Sequence, residues 1–169
     1  MPLHFAYGSN MDSAAMKLRC PGAKALGAAR LMRHRFIIMQ EGFASVIRDP
    51  QGVVHGVLWD LTLADLRRLD AYEEVARGLY AKAEQPVLKA SGGSSRALVY
   101  MGRGAPGGSP QAGYMAGVLR AAREWGFSEA YMRELMRLTP HGEQQASGDV
   151  AASSPAPKVR PRFASPFDR

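Results

Sequence analysis

Cysteine is almost missing from this 169-residue chain: Cys20 stands alone, so no internal disulfide can form. Histidine is nearly as scarce. His4, His34, His55 and His141 are scattered, and neither they nor Cys20 fall at metal-ligand spacing, so no metal and no cofactor is expected. Long apolar runs are absent too. Nothing approaches the roughly 20 residues of a spanning helix, and His4 and Tyr7 interrupt the N-terminal stretch that would have to serve as a signal peptide. The expectation is a reducing, cytoplasmic setting with no membrane partner. No Walker loop and no Gly-x-Ser-x-Gly elbow occurs, and Ser9 has no His and Asp in triad context. Gly102, Gly104 and Gly107 do spell the dinucleotide fingerprint. Pro106 and Pro110 disturb that turn, the next helix begins too late, and no acidic residue ends a following strand, so a flexible loop is expected there.

Acidic residues are outnumbered, 15 against 22 basic, for a formal charge of +7. An excess of that size raises nucleic acid as a partner. Its distribution argues against it. Lys158, Arg160, Arg162 and Arg169 sit in the last nineteen residues, and Arg67, Arg68, Arg120, Arg123, Arg133 and Arg137 fall on presumed solvated helix faces.

Apolar residues make up 46% of the chain, enough for one sizeable core. Residues 1–140 read as that domain. From His141 the composition turns to Gly, Ser, Ala, Pro and charge, and residues 141–169 read as a disordered basic tail. The first strand is Leu3 to Tyr7; Gly8 breaks it, Ser9 and Asn10 are N-cap types, and Met11 to Leu18 has helical spacing. A strand lies within Ala25 to Gln40. Ala44 to Arg48 and Val53 to Leu61 read as a hairpin about the turn Asp49-Pro50-Gln51-Gly52, with Gly56 marking a bulge or a close backbone approach. Thr62 and Asp65 resemble a capping box ahead of the stripe Leu63, Leu66, Leu69 and Tyr72. Strands follow at Leu79 to Leu88 and Arg96 to Met101, then a loop from Gly102 to Pro110. Helices are expected over Gln111 to Trp125 and from Ser128 to Leu138. Antiparallel-looking strands with helices between and after them give an α+β class.

Two stretches carry chemistry. A strand, a glycine and a capped helix at Tyr7-Gly8-Ser9-Asn10-Met11 would leave several backbone N–H groups pointing one way, a cradle for a carboxylate or an oxyanion. The same residues are equally compatible with an ordinary strand-to-helix turn. In Leu69-Asp70-Ala71-Tyr72-Glu73-Glu74-Val75, three acids meet the negative end of a helix dipole. That placement raises carboxylate pKa, which suits a general acid or base, although a solvated acidic helix end has the same spelling.

Tyr7-Gly8-Ser9-Asn10-Met11, then Gly56-Val57-Leu58-Trp59, then Leu69-Asp70-x-Tyr72-Glu73-x-Val75 with Gly78-x-Tyr80 together resemble the γ-glutamylcyclotransferase family, in the same order from Leu3 to Leu138. Two positions depart from the family pattern. Met11 replaces a leucine, which conserves volume, and Glu74 stands where glycine is common. The resemblance implies a small mixed β-barrel flanked by helices, and closure of a γ-glutamyl amide or dipeptide to 5-oxoproline with release of an amine or amino acid. Glu73 would then be the general acid/base, favoured over Glu74 by its alignment with Tyr72 and Val75, and would be partly buried with a raised pKa. Tyr7, Gly8, Ser9, Asn10 and Met11 would bind the substrate carboxylate and oxyanion. Tyr80 and Tyr100 would either contact substrate or pack their rings. The resemblance leaves open a γ-glutamyl amine or a carrier-bound γ-glutamyl group as substrate, and a non-catalytic binding module on the same scaffold. It does not specify the oligomeric state.

Overall fold

A computed structural model describes residues 1–140; the tail expected from His141 lies outside the described residues. Five strands close into a barrel in the order β1-β3-β2-β4-β5. They are β1 (Leu3–Ala6), β2 (Lys24–Ile38), β3 (Ala44–Asp60), β4 (Tyr80–Lys89) and β5 (Ser94–Gly102). Four helices flank it: α1 (Ser13–Arg19), α2 (Leu63–Tyr72), α3 (Tyr114–Glu124) and α4 (Glu129–Arg137). The class is α+β and the barrel is mixed. β1 runs antiparallel to β3, with Phe5 opposite Leu58, and closes on β5 through a parallel pair, His4 opposite Leu98.

β2 and β3 form a long two-stranded ribbon, and their pairing corrects the hairpin expected about Asp49 to Gly52. β3 is continuous, and β2 pairs with it on both sides of those residues. The Asp49-Pro50-Gln51-Gly52 chemistry is spent on a bulge inside the strand: pairing jumps from Met32–Val53 to His34–Arg48. The Gln51 N–H folds back onto Asp49 Oδ1 at 3.1 Å. Arg33 opposite takes a left-handed φ of 59°. That inserted residue resets the strand's alternation, so Ala29 and Leu31 face the core before it and His34 and Phe36 after it.

Gly56 is a close approach. A Cβ there would lie 2.3 Å from the Ala6 carbonyl oxygen and 2.5 Å from the Phe5 ring, so β1 can lie flat on β3 only over a glycine. The core takes Phe5, Met11 and Leu58 from the N-terminal strands and turn, Leu69 from α2, Met115 and Val118 from α3 and Leu135 from α4, each essentially inaccessible. α2 starts as its sequence implies. Thr62 and Asp65 make a reciprocal capping box, and Leu66 and Leu69 pack inward, although Leu63 is exposed. The loop after β5 is irregular but tied down: the N–H groups of Gly107 and Gly108 donate to the Ile38 carbonyl at 3.1 and 3.2 Å. Among the described residues, no helix is long and apolar enough to cross a membrane.

Candidate active site

The chain leaves β1 through Tyr7 and Gly8 into a single 3-10 turn, Ser9–Met11, before α1 begins. Asp12 caps α1, its Oδ1 accepting from the Ala15 N–H at 2.9 Å, so neither Ser9 nor Asn10 is the cap. The Asn10 side chain is thereby released from local duty. It reaches across the molecule instead: its Nδ2 donates to Glu73 Oε1 at 2.8 Å, 63 residues away.

Glu73 arrives from the other side, as the residue that closes α2. It is 4% exposed, against a side-chain exposure of 28% for Glu74, which turns outward to Arg77 at 3.6 Å. The bend between them is the left-handed φ of 53° at Glu74. Here the residue that departs from the family pattern adopts the conformation glycine would have supplied at less cost.

Asn10 and Glu73 open onto a common narrow pocket. Tyr7, Gly8 and Ser9 line it from the turn, and Tyr80 and Tyr100 from β4 and β5. Sequence reasoning did not find His4, Ala44 and Tyr114, which also line it. Tyr114 opens α3 and had read only as one position of an amphipathic helix. Gly8 is required by space: a Cβ would come within 2.9 Å of the Tyr114 hydroxyl and 3.4 Å of Ala44 Cβ. Met11 corrects the expected set. Its side chain is fully buried in the core, its N–H donates to the Gly8 carbonyl at 3.0 Å, and its own carbonyl accepts from Trp125 Nε1 at 2.9 Å. Met11 thus anchors the turn to the segment after α3 and does not face the pocket. The N–H groups of Ser9 and Asn10 stand at the head of the turn, where helical geometry provides no acceptor.

The phenols are held in defined senses. Tyr7 donates to the Tyr100 carbonyl, and Tyr80 donates to the Ala44 carbonyl at 2.6 Å. Tyr100 donates to Asp70 Oδ1 at 2.6 Å, and Lys82 Nζ holds the other oxygen of Asp70 at 2.7 Å. Burial, then the neighbouring Tyr80 and Glu73, keep Tyr7 protonated far above the ordinary phenol range. Burial, the bond to Asp70 and the charges of Asp70 and Glu73 do the same for Tyr100. With its proton committed to Asp70, the Tyr100 oxygen is left to accept from whatever enters. Burial depresses His4 to about 4 despite its bond to the Leu98 carbonyl, so it is a neutral ring at physiological pH.

This pocket therefore brings together one buried carboxylate, the start of the 3-10 turn and several oriented hydroxyls. The residues lining it do not include the Gly102 to Pro110 loop. A larger, open hollow lies between the β2–β3 bulge and α4. Of the two acids lining it, Asp49 pairs with the half-exposed Arg35 at 3.8 Å and Glu134 is exposed, so it holds no buried carboxylate.

Comparison with known proteins points the same way. Residues 53–135 match the AIG2-like family. The gamma-glutamylcyclotransferase of Homo sapiens is 27% identical over 149 residues, covering 82% of this chain and 79% of that protein. The Mus musculus protein of the same name is 28% identical over the same spans. A solved structure of a gamma-glutamyl cyclotransferase superposes with a TM-score of 0.76 at 23% identity, covering 86% of this chain and 97% of that one, and shares the fold.

Proposed function

The chain is a member of the γ-glutamylcyclotransferase-like family, and from that premise we propose that it converts a γ-glutamyl amide or dipeptide to 5-oxoproline and a free amine or amino acid, in a cytoplasmic setting. The observation that carries this reading is the 2.8 Å bond between Asn10 in the N-terminal turn and Glu73 at the end of α2. That bond joins Glu73 to the Ser9–Met11 turn beside one pocket, which supports the reading of the turn as the anion-binding element.

A γ-glutamyl amide contains its own nucleophile. The α-amine attacks the γ-carbonyl, a C–N bond forms to close the five-membered lactam, and the original amide C–N bond breaks. One proton must leave the attacking nitrogen and one must reach the departing nitrogen. Glu73 takes the first and returns it as the second, so a single carboxylate balances the reaction. No covalent intermediate on the protein is needed. Holding the substrate folded for attack supplies much of the acceleration, because the reaction is already intramolecular. The Ser9 and Asn10 N–H groups bind the substrate carboxylate and the oxyanion that develops on the γ-carbonyl. Losing one such donor typically costs about 10²–10³ in rate. Tyr80 and the acceptor oxygen of Tyr100 orient the substrate from the opposite wall.

The test is 5-oxoproline formation from a panel of γ-glutamyl dipeptides and γ-glutamyl amines, with Glu73→Gln as control. The wild type is expected to release 5-oxoproline from at least one member, and the folded variant to release none. Turnover retained in clean, folded E73Q protein would reject the assignment.

A further inference from the structure

Arg19, in the last turn of α1, belongs to no motif in the sequence and does not line the pocket. Its guanidinium nevertheless touches both halves of the site. Nη1 donates to Asn10 Oδ1 at 2.6 Å, and also approaches the Ser9 carbonyl at 3.3 Å and the Ser9 hydroxyl at 3.4 Å. The guanidinium carbon lies 4.0 Å above the Tyr72 ring, the residue immediately before Glu73. One planar cation thus joins the 3-10 turn to the end of α2.

Its chemistry dictates the orientation of Asn10. A guanidinium can only donate, so the amide must turn its oxygen to Arg19. The NH₂ end then faces Glu73, and an ionised carboxylate can only accept. With the cation removed, the amide is free to rotate by half a turn. Its carbonyl oxygen would then meet a Glu73 oxygen, an arrangement that is favourable only if Glu73 carries a proton.

We propose that Arg19 is a positioning residue for the acid–base step: by fixing which end of the Asn10 amide meets Glu73, it keeps that carboxylate ionised and aimed before substrate arrives. This role rests on Glu73 acting in proton transfer.

The other groups facing Glu73 leave the neutral range to it. Tyr7 and Tyr100 stay protonated and His4 stays neutral, each for the burial already described. Tyr80 and Tyr114 are the remaining phenols on the pocket wall. The nearest acids in the chain are already engaged, Asp70 with Lys82 and Tyr100, and Glu74 with Arg77.

The experiment follows Glu73 directly, by ¹³C NMR titration of the full-length protein labelled at glutamate carboxyls, the signal being assigned by its loss in Glu73→Gln. In Arg19→Gln, whose head group both donates and accepts, the Glu73 midpoint is expected to move to higher pH. The expected gain in proton affinity is about 10- to 100-fold, the range set by losing a hydrogen bond to a charged group. The acid limb of kcat/KM for 5-oxoproline release should move with it, with kcat falling and KM nearly unchanged. Arg19→Lys, still donor-only, should restore most of both. Arg19→Met removes the donors without placing a charge beside Glu73, so it must shift the midpoint in the same direction; this variant decides the matter if R19Q does not fold. A wild-type Glu73 midpoint in R19Q or R19M would overturn the proposal, as would equal losses in R19Q and R19K with an unmoved pH profile. Failure of the wild type to form 5-oxoproline would reject the cyclotransferase reading instead, and the carboxyl titration alone would then decide the role of Arg19.

Discussion

Glu73 and Glu74 are chemically identical neighbours, and one backbone angle separates a buried carboxylate facing a pocket from an outward-turned surface side chain. Glu74 takes a φ of 53°, and Arg33 is the other non-glycine residue with positive φ among those described. A side chain in that region costs about 1 kcal/mol, because Cβ crowds the following carbonyl. The ion pair with Arg77, at 3.6 Å and largely exposed on the arginine side, offsets little of it. Glu74→Gly should therefore raise stability by about 0.5–1 kcal/mol, after discounting the greater freedom of glycine in the unfolded chain. The urea midpoint should rise while kcat is unchanged; a lower midpoint would mean the surroundings have already absorbed the strain. The burial of Glu73 agrees with the expectation drawn from the family resemblance, in which Tyr72 and Val75 favour Glu73 over Glu74. The role of Asn10 was not legible in the sequence. A short polar side chain after a glycine is read as a helix cap, and only the structure shows Asp12 taking the cap and sending Asn10 to a partner 63 residues distant. Arg19 was invisible for a related reason. Cation and carboxylate are linked through the Asn10 amide, and no spacing along the chain records that link.

Among the elements, the α1–α2 pair frames the site, and its tie is Asp65, which is 2% exposed. One Asp65 oxygen accepts from the Thr62 hydroxyl at 2.7 Å and the Thr62 N–H at 3.3 Å; the other accepts from the Gly22 N–H at 3.3 Å, just after α1. Burial alone would raise this carboxyl, but the bonds from Thr62 and Gly22, with Arg68 nearby, outweigh it and leave its pKa below the ordinary value. Asp65→Asn replaces a charged acceptor by a neutral one and turns an NH₂ toward at least one donor. It should cost about 1–3 kcal/mol in chemical denaturation. A loss below a few tenths of a kcal/mol would show that the helices hold their places without this tie. The capping box itself was legible, since Thr62 and Asp65 carry both halves of it within three residues. The bond to Gly22 was not, being a contact between segments 43 residues apart. The same contrast separates β4 and β5, whose alternation marks them, from the β2–β3 ribbon. There Asp49-Pro50-Gln51-Gly52 has the local chemistry of a hairpin turn, but β2 pairs on either side of it and makes it a bulge. Turn residues report a local bend and say nothing of which strand lies alongside.

At the scale of the whole molecule, barrel closure is the feature that periodicity could not supply, because strands announce themselves and their edges do not. The mixed barrel was an expectation from family resemblance alone, and the seam that closes it is His4 on β1 against Leu98 on β5. The seam also carries a titratable group. His4 is 1% exposed, Nδ1 lies 3.1 Å from the Leu98 carbonyl and is the donor in the neutral ring, and Nε2 has no partner among the described residues. Protonation would put a second N–H where nothing accepts it, consistent with a pKa lowered from 6.5 to about 4 by burial. In the unfolded chain the same ring binds a proton near pH 6.5. Between those values the unfolded state holds more protons, so stability is fully present above about pH 6.5 and drains away as the pH falls toward 4. The shift corresponds to about 3 kcal/mol over that window, with His55, also lowered by burial, adding in the same sense. Asp65 acts further down: its depressed pKa means that its contribution is intact above about pH 4 and is lost only as the pH falls through its folded value. Acid destabilisation should thus occur in two stages, with the barrel seam weakening before the α1–α2 tie. Urea titrations at pH 7.5, 5.5 and 4.5 on wild type and His4→Phe separate them. The variant loses the bond to Leu98 and should be less stable at pH 7.5, yet its stability should fall by about 3 kcal/mol less than wild type on going to the lowest pH. Parallel curves for the two proteins would mean that the seam histidine does not set the acid limit of this fold.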